Sequence, residues 1–507
     1  MKHIITILCL VFFYKLPAQR IFYNLNERYN RENLSFEILG KFKGSYLIYK
    51  NIRNAHQIAI YDAEMKSKAE VSLDFFPERL IDVMSFPVGD GVIFIYQFQK
   101  KSTIYCMGAK VNAEGKLMKE PLQIDTANVL LTNSERKIYS AVMSENKKKL
   151  MVLKMRNPYK EEYVFSTRLL NSSLEQIRNA KFSYFIEASK ETIGDFSLDN
   201  KGNLLFTHIP RSTIKDPATG VNLCVLPVDS DSLMINAISL GKFYPDEMRI
   251  KIDNYNNRYI LASFYSNSRR GNIDGLAYIT LGGDSTYSIQ KRFFEFTDEL
   301  KAISRGENSQ ITAFNDYYLK HFVIKKDGAV IISAESNYTN NRGMGINRWD
   351  YPGTMGWGMG SGFYGWGSPF NTWGWGMPGS MNGFGAPSVR YFSENIVFFS
   401  INKDAVMEWN NVLNKTQFDD NSDDLLSYQT VNTGREILLL YNVWSRRTPL
   451  LSAQKMNADG KLDRQQTLRN LDRGYEFVIR KSKQVGAREL IVPVLYRNSI
   501  SFARLEL

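Results

Sequence analysis

Cysteine, histidine and long apolar runs are scarce in this 507-residue chain, and each scarcity excludes a class of protein. Three cysteines are too few for the disulfide framework of a small secreted domain. The histidines after the N-terminus (His56, His208 and His321) lie far apart in sequence and predict no clustered zinc ligands. Beyond the N-terminus, no run is apolar for the roughly 20 residues that a membrane-spanning helix needs. We therefore expect no metal, no cofactor and no transmembrane segment.

Catalytic motifs are also missing. The chain has no G-x-S-x-G elbow, no phosphate-binding loop, and no G-x-G-x-x-G motif between a strand and a helix. Cys106 and Cys224 sit inside apolar runs, so we expect two buried thiols in separate repeats and no disulfide. The composition favours a non-catalytic protein, although paired carboxylates that converge only in the fold stay open.

The N-terminus has the pattern of an export signal. Residues 1–3 are a short basic start, residues 4–14 are apolar, and Ala18 offers a small residue for cleavage. We therefore predict a signal peptide over residues 1–18 and an exported chain from residue 19, which is periplasmic, on the cell surface or extracellular. Two lysines and no acid lie in the predicted leader, so the formal charge of +12 falls by two in the exported chain. For an exported protein this excess points to an anionic glycan, lipid headgroups or an acidic partner, and charge alone does not choose among them. The partner that we expect is an envelope protein or an anionic glycan, and no nucleic acid.

What the chain does contain is a repeat of short alternating strands, with aromatics at 13% of residues. The turn after the first strand of each unit is best seen at Asp199 with Gly202, at Asp253, and at Asp327. Tight hairpins need positive φ, which Asp, Asn and Gly tolerate. Four antiparallel strands at this spacing predict a single all-β β-propeller domain, with eight blades favoured over seven and the N- and C-terminal strands joined. The predicted blades cover residues 35–75, 79–125, 137–187, 191–240, 244–297, 311–418, 425–468 and 473–507.

Two of these turns resemble those of the seven-bladed β-propeller repeat family, which carry D-x-x-G-N before apolar residues. Residues 199–203 match fully, whereas residues 253–257 have Asn256 in place of the glycine. The resemblance covers two or three blades and implies an architecture; it implies no activity, because propellers host many unrelated functions.

The loops between the second and third strands of every blade share one face of a propeller, and each carries Lys or Arg. Aromatic residues stand near the start of most of them. We predict a basic and aromatic binding face that includes Tyr265, Arg269, Arg270, Trp444, Arg446 and Arg447. The alternative is that these loops are simply solvated.

One of these loops is a long insertion over residues 343–385, with 14 of the 34 glycines and 5 of the 7 tryptophans. This composition excludes a helix or a regular strand. Three functions stay open beside a passive low-complexity loop: partner or glycan contact, contact with a membrane surface, and a soft-metal site at Met355 and Met359. The predicted contact residues are Trp357, Trp366, Trp373 and Trp375.

An acidic run over residues 419–424 begins like a calcium loop but lacks the glycine and the final glutamate that an EF-hand needs. We expect a solvated connector there. Taken together, the sequence predicts an exported binding or scaffolding propeller of the cell envelope. The alternative is a glycan-active hydrolase or lyase with its site in the central channel.

Overall fold

The structure of the chain is a computed structural model, and it confirms an all-β propeller of eight blades, each a four-stranded antiparallel sheet. The described residues are 20–24, 28–129, 137–156, 162–187, 191–194, 196–210, 218, 220–246, 248–282, 288–306, 312–340, 390–420, 422–445, 448–464 and 474–507. The predicted leader, the insertion over 343–385, Arg446 and Arg447 lie outside them.

Strands β1 (Arg20–Tyr23) and β2 (Tyr29–Asn30) open the described chain and belong to the last blade, and a 3-10 helix over Arg31–Asn33 follows them. Blade 1 contains β3 (Leu34–Phe42), β4 (Ser45–Ile52), β5 (Ala55–Tyr61) and β6 (Ser67–Ser72). Blade 2 contains β7 (Asp82–Val88), β8 (Gly91–Lys100), β9 (Thr103–Asn112) and β10 (Leu122–Asn128). Blade 3 contains β11 (Tyr139–Met143), β12 (Lys149–Arg156), β13 (Glu162–Asn171) and β14 (Gln176–Phe185).

The first strand is split in two in blades 4 and 5. Blade 4 contains β15 (Thr192–Ile193), β16 (Ser197–Leu198), β17 (Leu204–Ile209), β18 (Gly220–Leu226) and β19 (Met234–Ser239). Blade 5 contains β20 (Tyr244–Pro245), β21 (Arg249–Asp253), β22 (Arg258–Ser266), β23 (Gly275–Gly282) and β24 (Ile289–Glu295). Helix α1 (Asp298–Ser304) links blade 5 to blade 6 and begins at Thr297, whose Oγ1 accepts a hydrogen bond from the Leu300 backbone N–H at 3.2 Å.

Of the last three blades, blade 7 is a plain four-stranded sheet, whereas blades 6 and 8 have additional strands. Blade 6 contains β25 (Tyr317–Ile324), β26 (Val330–Asn340), β27 (Arg390–Ile401) and β28 (Met407–Leu413), with an extra strand β29 (Gln417–Asp419). Blade 7 contains β30 (Tyr428–Asn432), β31 (Ile437–Ser445), β32 (Thr448–Met456) and β33 (Leu462–Arg464). Blade 8 contains β34 (Tyr475–Phe477), a 3-10 helix over Ile479–Lys481, β35 (Lys483–Gly486), β36 (Glu489–Tyr496) and β37 (Ser499–Glu506).

The ring is closed by pairing its two ends, as the sequence predicts. Strand β1 runs antiparallel to β37, in a register that sets Arg20 opposite Glu506 and Tyr23 opposite Ala503. Strand β2 pairs with the other end of β37. The outer strand of blade 8 therefore comes from the segment that precedes blade 1, which completes the last blade and closes the ring.

The core is divided into eight apolar clusters, one between each pair of neighbouring blades. One of them joins blade 8 to blade 1, where Phe36 packs edge-on against Phe502 with ring centroids 5.0 Å apart. Apolar residues in the middle strands point alternately to the blade before and the blade after. Burial of both sheet faces explains why these strands are apolar throughout.

The tight turns follow the predicted chemistry. Asp199 Oδ1 accepts hydrogen bonds from the backbone N–H of Gly202 at 2.7 Å and of Asn203 at 2.8 Å, and Gly202 has φ +102°. Successive strands of a blade run in opposite directions, so the turns between first and second strands and between third and fourth strands share one face. We call it the turn face. The opposite face carries the hairpins between second and third strands and the links between blades, and we call it the loop face.

Candidate functional site

Cations occupy left-handed backbone positions at the hairpin tips of the loop face. Arg53 (φ 50°), Lys101 (φ 53°), Arg270 (φ 56°) and Arg497 (φ 55°) lie between the second and third strands of blades 1, 2, 5 and 8. A non-glycine residue in this region costs on the order of 1–2 kcal/mol, and glycine or asparagine would relieve the cost. A long cation at four such tips is therefore a feature that backbone geometry does not explain.

The turn face provides a comparison within the same molecule. Its described turns hold twelve positive-φ residues, of which six are glycine and two are cations, Lys43 and Lys147. The described residues of the loop-face hairpins hold five, of which four are cations and the fifth is Asn54. The bias towards cations is thus specific to one face, and it favours a surface that contacts an anionic ligand.

The predicted binding residues Arg269 and Arg270 lie on the loop face, in the loop that joins β22 to β23. Arg269 is exposed and Arg270 is half-buried, and both make contacts with other residues. Trp444 lies near the end of β31 with 38% of its surface exposed, so it is available on the same face.

The prediction for Tyr265 as an exposed contact residue is wrong. Its side chain is 2% exposed and packs against Phe243 and Phe293, with ring centroids 4.7 Å and 5.6 Å away. Tyr49, Tyr96 and Tyr441, which also stand before loops, are equally buried. Each belongs to a middle strand whose two faces pack on neighbouring blades, so these aromatics build the core.

The hairpin that carries the insertion has a reinforced base. β26 and β27 are the longest strands, with 11 and 12 residues, and β29 pairs with β27 from Tyr391 to Ser393. Arg390, the first described residue after the insertion, forms an ion pair with Asp420 at 2.5 Å and stacks over Phe418 at 4.9 Å. The four predicted contact residues Trp357, Trp366, Trp373 and Trp375 lie outside the described residues, and the base is what the structure shows of this element.

A buried ionic network lies below this base. Lys415 Nζ is 2.9 Å from Glu335 Oε1, and the two side chains are 1% and 0% exposed. Ser393 Oγ donates to Glu335 Oε1 at 2.8 Å and Ser427 Oγ donates to Oε2 at 2.5 Å. Burial alone would raise the pKa of Glu335, but Lys415 and Lys320 beside it, together with the hydrogen bonds, lower it below its ordinary value. The network ties the link after blade 6 to the strands that present the insertion.

The acidic run is not the solvated connector that the sequence predicts. Asp423 forms an ion pair with Arg480, and Asp424 forms ion pairs with Arg31 and, at 3.2 Å, with Lys481. The Asp424 side chain is 8% exposed. The run therefore joins the link between blades 6 and 7 to blade 8 and to the segment that closes the ring.

The three histidines are structural parts of separate blades. His56 Nδ1 shares a hydrogen bond of 2.6 Å with the Tyr49 hydroxyl, and burial lowers the pKa of His56 to about 4. His208 Nδ1 shares one of 2.8 Å with Tyr184, and burial lowers its pKa as well. His321 is buried in blade 6, and burial together with neighbouring Lys320 lowers its pKa. The three histidines therefore lie one each in blades 1, 4 and 6.

The two cysteines that the structure describes are buried and free, Cys106 in blade 2 and Cys224 in blade 4, as predicted. In the described part of the chain, no group of three His, Cys, Asp or Glu side chains is placed to hold a metal ion. No helix among the same residues is long and apolar enough to cross a membrane.

The sequence reasoning did not single out Arg53 and Arg497, although it included their loops. The sequence of these two hairpins does contain a signal. A two-residue hairpin loop normally prefers Asn-Gly, whereas the loops at residues 53–54 and 497–498 are both Arg-Asn. Arginine in place of a residue suited to positive φ marks the position as one where the side chain matters.

No protein-family model matches the sequence, and no curated protein matches it. Among solved structures, the chain is similar to prolyl oligopeptidase B from Galerina marginata at 10% identity and a TM-score of 0.41, covering 92% of this chain and 56% of that one. It is also similar to a protein from Lactobacillus plantarum at 9% identity and a TM-score of 0.38, covering 86% and 96%. A mutant of the Synechocystis apocarotenoid oxygenase matches at 7% identity and a TM-score of 0.33, covering 97% and 94%.

The chain thus spans little more than half the length of the prolyl oligopeptidase chains that it matches. The three neighbours have unrelated names, and at these identities and TM-scores none of their activities carries over. The fold is read from the sheet topology of this chain, and the matches point to no sequence family.

Proposed function

We propose that this chain is an exported, non-catalytic binding or scaffolding propeller of the cell envelope. Its contact surface is the loop face, with the Trp-rich segment 343–385 as a second contact element beside the basic hairpins. The partner is an envelope protein or an anionic glycan. The observation that carries the proposal is the set of four cations at positive φ on the hairpin tips of one face.

Three further observations support this proposal. The strands on both sides of the insertion are long, and β29 pairs with β27 at the base of the insertion. An ion pair between Arg390 and Asp420 adds a further contact at the same base. Trp444 is partly exposed on the same face. Two of the turns resemble those of the seven-bladed repeat family of secreted proteins, which fits an exported binding module.

The experiment is a pull-down from envelope extract with the mature chain and two variants. The first variant replaces residues 343–385 by a short Gly-Ser linker, and the second replaces Arg269 and Arg270 by Gln. Circular dichroism and thermal unfolding verify that all three are folded. We expect each variant to lose a protein or glycan that the native chain retains. If all three chains retain the same material, or none retains any, the loop face is not the contact surface.

One observation favours a second candidate, a glycan-active enzyme. Glu37 lies on β3, a first strand, and the first strands of neighbouring blades contact one another around the centre of the ring. Burial raises the pKa of Glu37 to about 7, against the opposing effects of Lys483 and of a 2.6 Å hydrogen bond from Ser85. A carboxyl of this kind suits a general acid. Polysaccharide hydrolysis that is present in the native chain and absent in Glu37→Gln would favour this candidate over the binding module.

A further inference from the structure

The segment that closes the ring crosses the loop face between blades 8 and 1 and ties two basic hairpin tips together. The Arg31 backbone N–H donates to the Asn498 carbonyl at 3.0 Å, and the Arg53 backbone N–H donates to the Asn33 carbonyl at 3.3 Å. The hairpin tips of blades 8 and 1 are therefore separated by a single turn of 3-10 helix. We call this surface the seam.

Two arginines of the seam meet at one tyrosine ring, and a third lies on the neighbouring hairpin tip. The Arg28 Cζ lies 4.7 Å and the Arg497 Cζ lies 5.4 Å from the centroid of the same Tyr496 ring, so the two guanidinium carbons are within about 10 Å of each other. Arg28 Nη2 donates to the Tyr475 hydroxyl at 2.9 Å. Arg53 follows on the next tip. All three arginines are exposed.

An exposed carboxylate, that of Glu32, lies in the turn of 3-10 helix between the two tips, so the positive charge of the seam is offset only in part. Arg31, between the two tips, is paired with Asp424. Among the described carboxylates, none forms an ion pair with Arg28, Arg53 or Arg497. Like charges held close together repel each other, and two of the three also hold a strained backbone. Charge repulsion and backbone strain both lower the stability of the folded chain at the seam. Such a destabilised arrangement indicates a surface that binds a ligand of the opposite charge.

We propose that the seam binds an acidic polysaccharide, with Arg28, Arg53 and Arg497 each pairing with an oxyanion along the chain. This inference rests on the proposed function, because it names the ligand class and the subsite of the loop face. Guanidinium forks fit carboxylates in bidentate geometry, so uronate groups are the expected partners. Three forks along the seam, two on hairpin tips and one in the closing segment, match an extended chain with repeated charges, whereas one small anion reaches a single fork.

The chemistry of the seam argues against a lipid surface. Insertion into a membrane interface uses exposed apolar side chains. None of the described exposed large apolar residues lies in the closing segment or on these two tips. The tips carry Asn54 and Asn498 beside the arginines, which are suited to hydrogen bonds with sugar hydroxyls.

The test measures binding of polygalacturonate to the mature chain by calorimetry at low salt, with dextran sulfate, neutral dextran and anionic phospholipid vesicles as comparison probes. The main variant is Arg53→Gly with Arg497→Gly, since glycine removes the charge and accepts the positive φ. The matched control is Lys43→Gly with Lys147→Gly, which removes two cations from positive-φ positions on the turn face. Both variants therefore have the same net charge and the same kind of backbone change.

We expect the seam variant to bind polygalacturonate at least about tenfold more weakly, with a Tm no lower than that of the native chain. The turn-face control stays within about twofold of native affinity. Arg28→Lys keeps the charge and loses the fork, and it weakens binding by an intermediate factor.

Four results would overturn the inference: no binding of polygalacturonate by the native chain, equal loss in both double variants, equal binding of neutral dextran, or a preference for vesicles. Stronger binding of dextran sulfate, lost in the seam variant, keeps the seam as the site and identifies sulfate esters as the oxyanion. The variant that lacks residues 343–385 separates this inference from the proposed function. If that variant loses its envelope partner and still binds polygalacturonate, the two contacts are independent. If none of the chains captures an envelope partner but polygalacturonate binding still depends on the seam arginines, the seam site is supported and the proposed function is not.

Discussion

Glu37→Gln makes the propeller more stable above neutral pH, because it removes a carboxylate that the folded chain holds away from water. Burial raises the pKa of Glu37 from 4.5 to about 7, although Lys483 and the hydrogen bond from Ser85 act in the opposite direction. The folded chain therefore binds one more proton than the unfolded chain between these two pH values. Stability from this group is fully present below pH 4.5 and is lost as the pH rises through 7. Each pKa unit corresponds to about 1.4 kcal/mol, so ionisation of Glu37 costs the folded chain about 3 kcal/mol.

The assay is urea unfolding of the native chain and of Glu37→Gln at pH 5 and at pH 8. Glutamine keeps an acceptor for Ser85, and it carries no charge. We expect the two chains to be close in stability at pH 5, and the variant to be more stable by about 3 kcal/mol at pH 8. Glu114→Gln serves as the control, because Glu114 is exposed and pairs only with Lys43 at the surface. Parallel stability profiles of the native chain and Glu37→Gln across this pH range would refute the reasoning.

Three further predictions concern the scaffold. Lys415→Met removes the nearer of the two cations beside the buried Glu335 and lowers the free energy of unfolding by about 3 kcal/mol. The addition of Glu335→Gln recovers most of the loss in urea unfolding, and an equal loss in the double variant would contradict the ionic explanation. Gly202→Ala places a side chain at φ +102°, with Leu169 and Val228 atoms 3.1 Å from its Cβ. We expect this strain to destabilise the folded chain by about 1–3 kcal/mol and to lower the melting temperature. An unchanged melting temperature would contradict this prediction. Burial raises the pKa of the thiols of Cys106 and Cys224, so both should resist a thiol reagent in the folded chain and react together in urea; fewer than two reactive thiols in the unfolded mature chain would indicate a disulfide.

The blades could be predicted from the sequence because their turns and strands follow local rules. Asp199 and Gly202 mark a hairpin through backbone geometry alone, and the predicted first blade over 35–75 contains β3 to β6 with an error of a few residues. Alternating burial and a fixed spacing were enough for the fold. The side of the sheet on which Tyr265 packs was not predictable, because an aromatic at the end of a strand gives no sign of what covers it.

The contacts that decide the candidate site depend on residues far apart in the chain. Asp424 is buried because Arg31 and Lys481 reach it from the closing segment and from blade 8. The seam exists because Arg28 is carried to Tyr496 by the closure of the ring. Neither pairing leaves a local trace in the sequence, since each involves groups that become neighbours only when the last blade is complete.

The pairing of β1 with β37 also determines how the propeller responds to mechanical load. Arg20 lies opposite Glu506, so a force applied at these two positions acts on adjacent points at one end of an antiparallel pair. The force then breaks the hydrogen bonds between β1 and β37 one after another. We therefore expect blade 8 to open before the other seven blades. The hairpin that bears Arg497 joins β36 to β37 within that blade. A partner bound to the loop face at this hairpin therefore contacts the blade that opens first. A ligand seated at the seam bridges the first blade to yield and its neighbour, and it raises the force at which the ring opens.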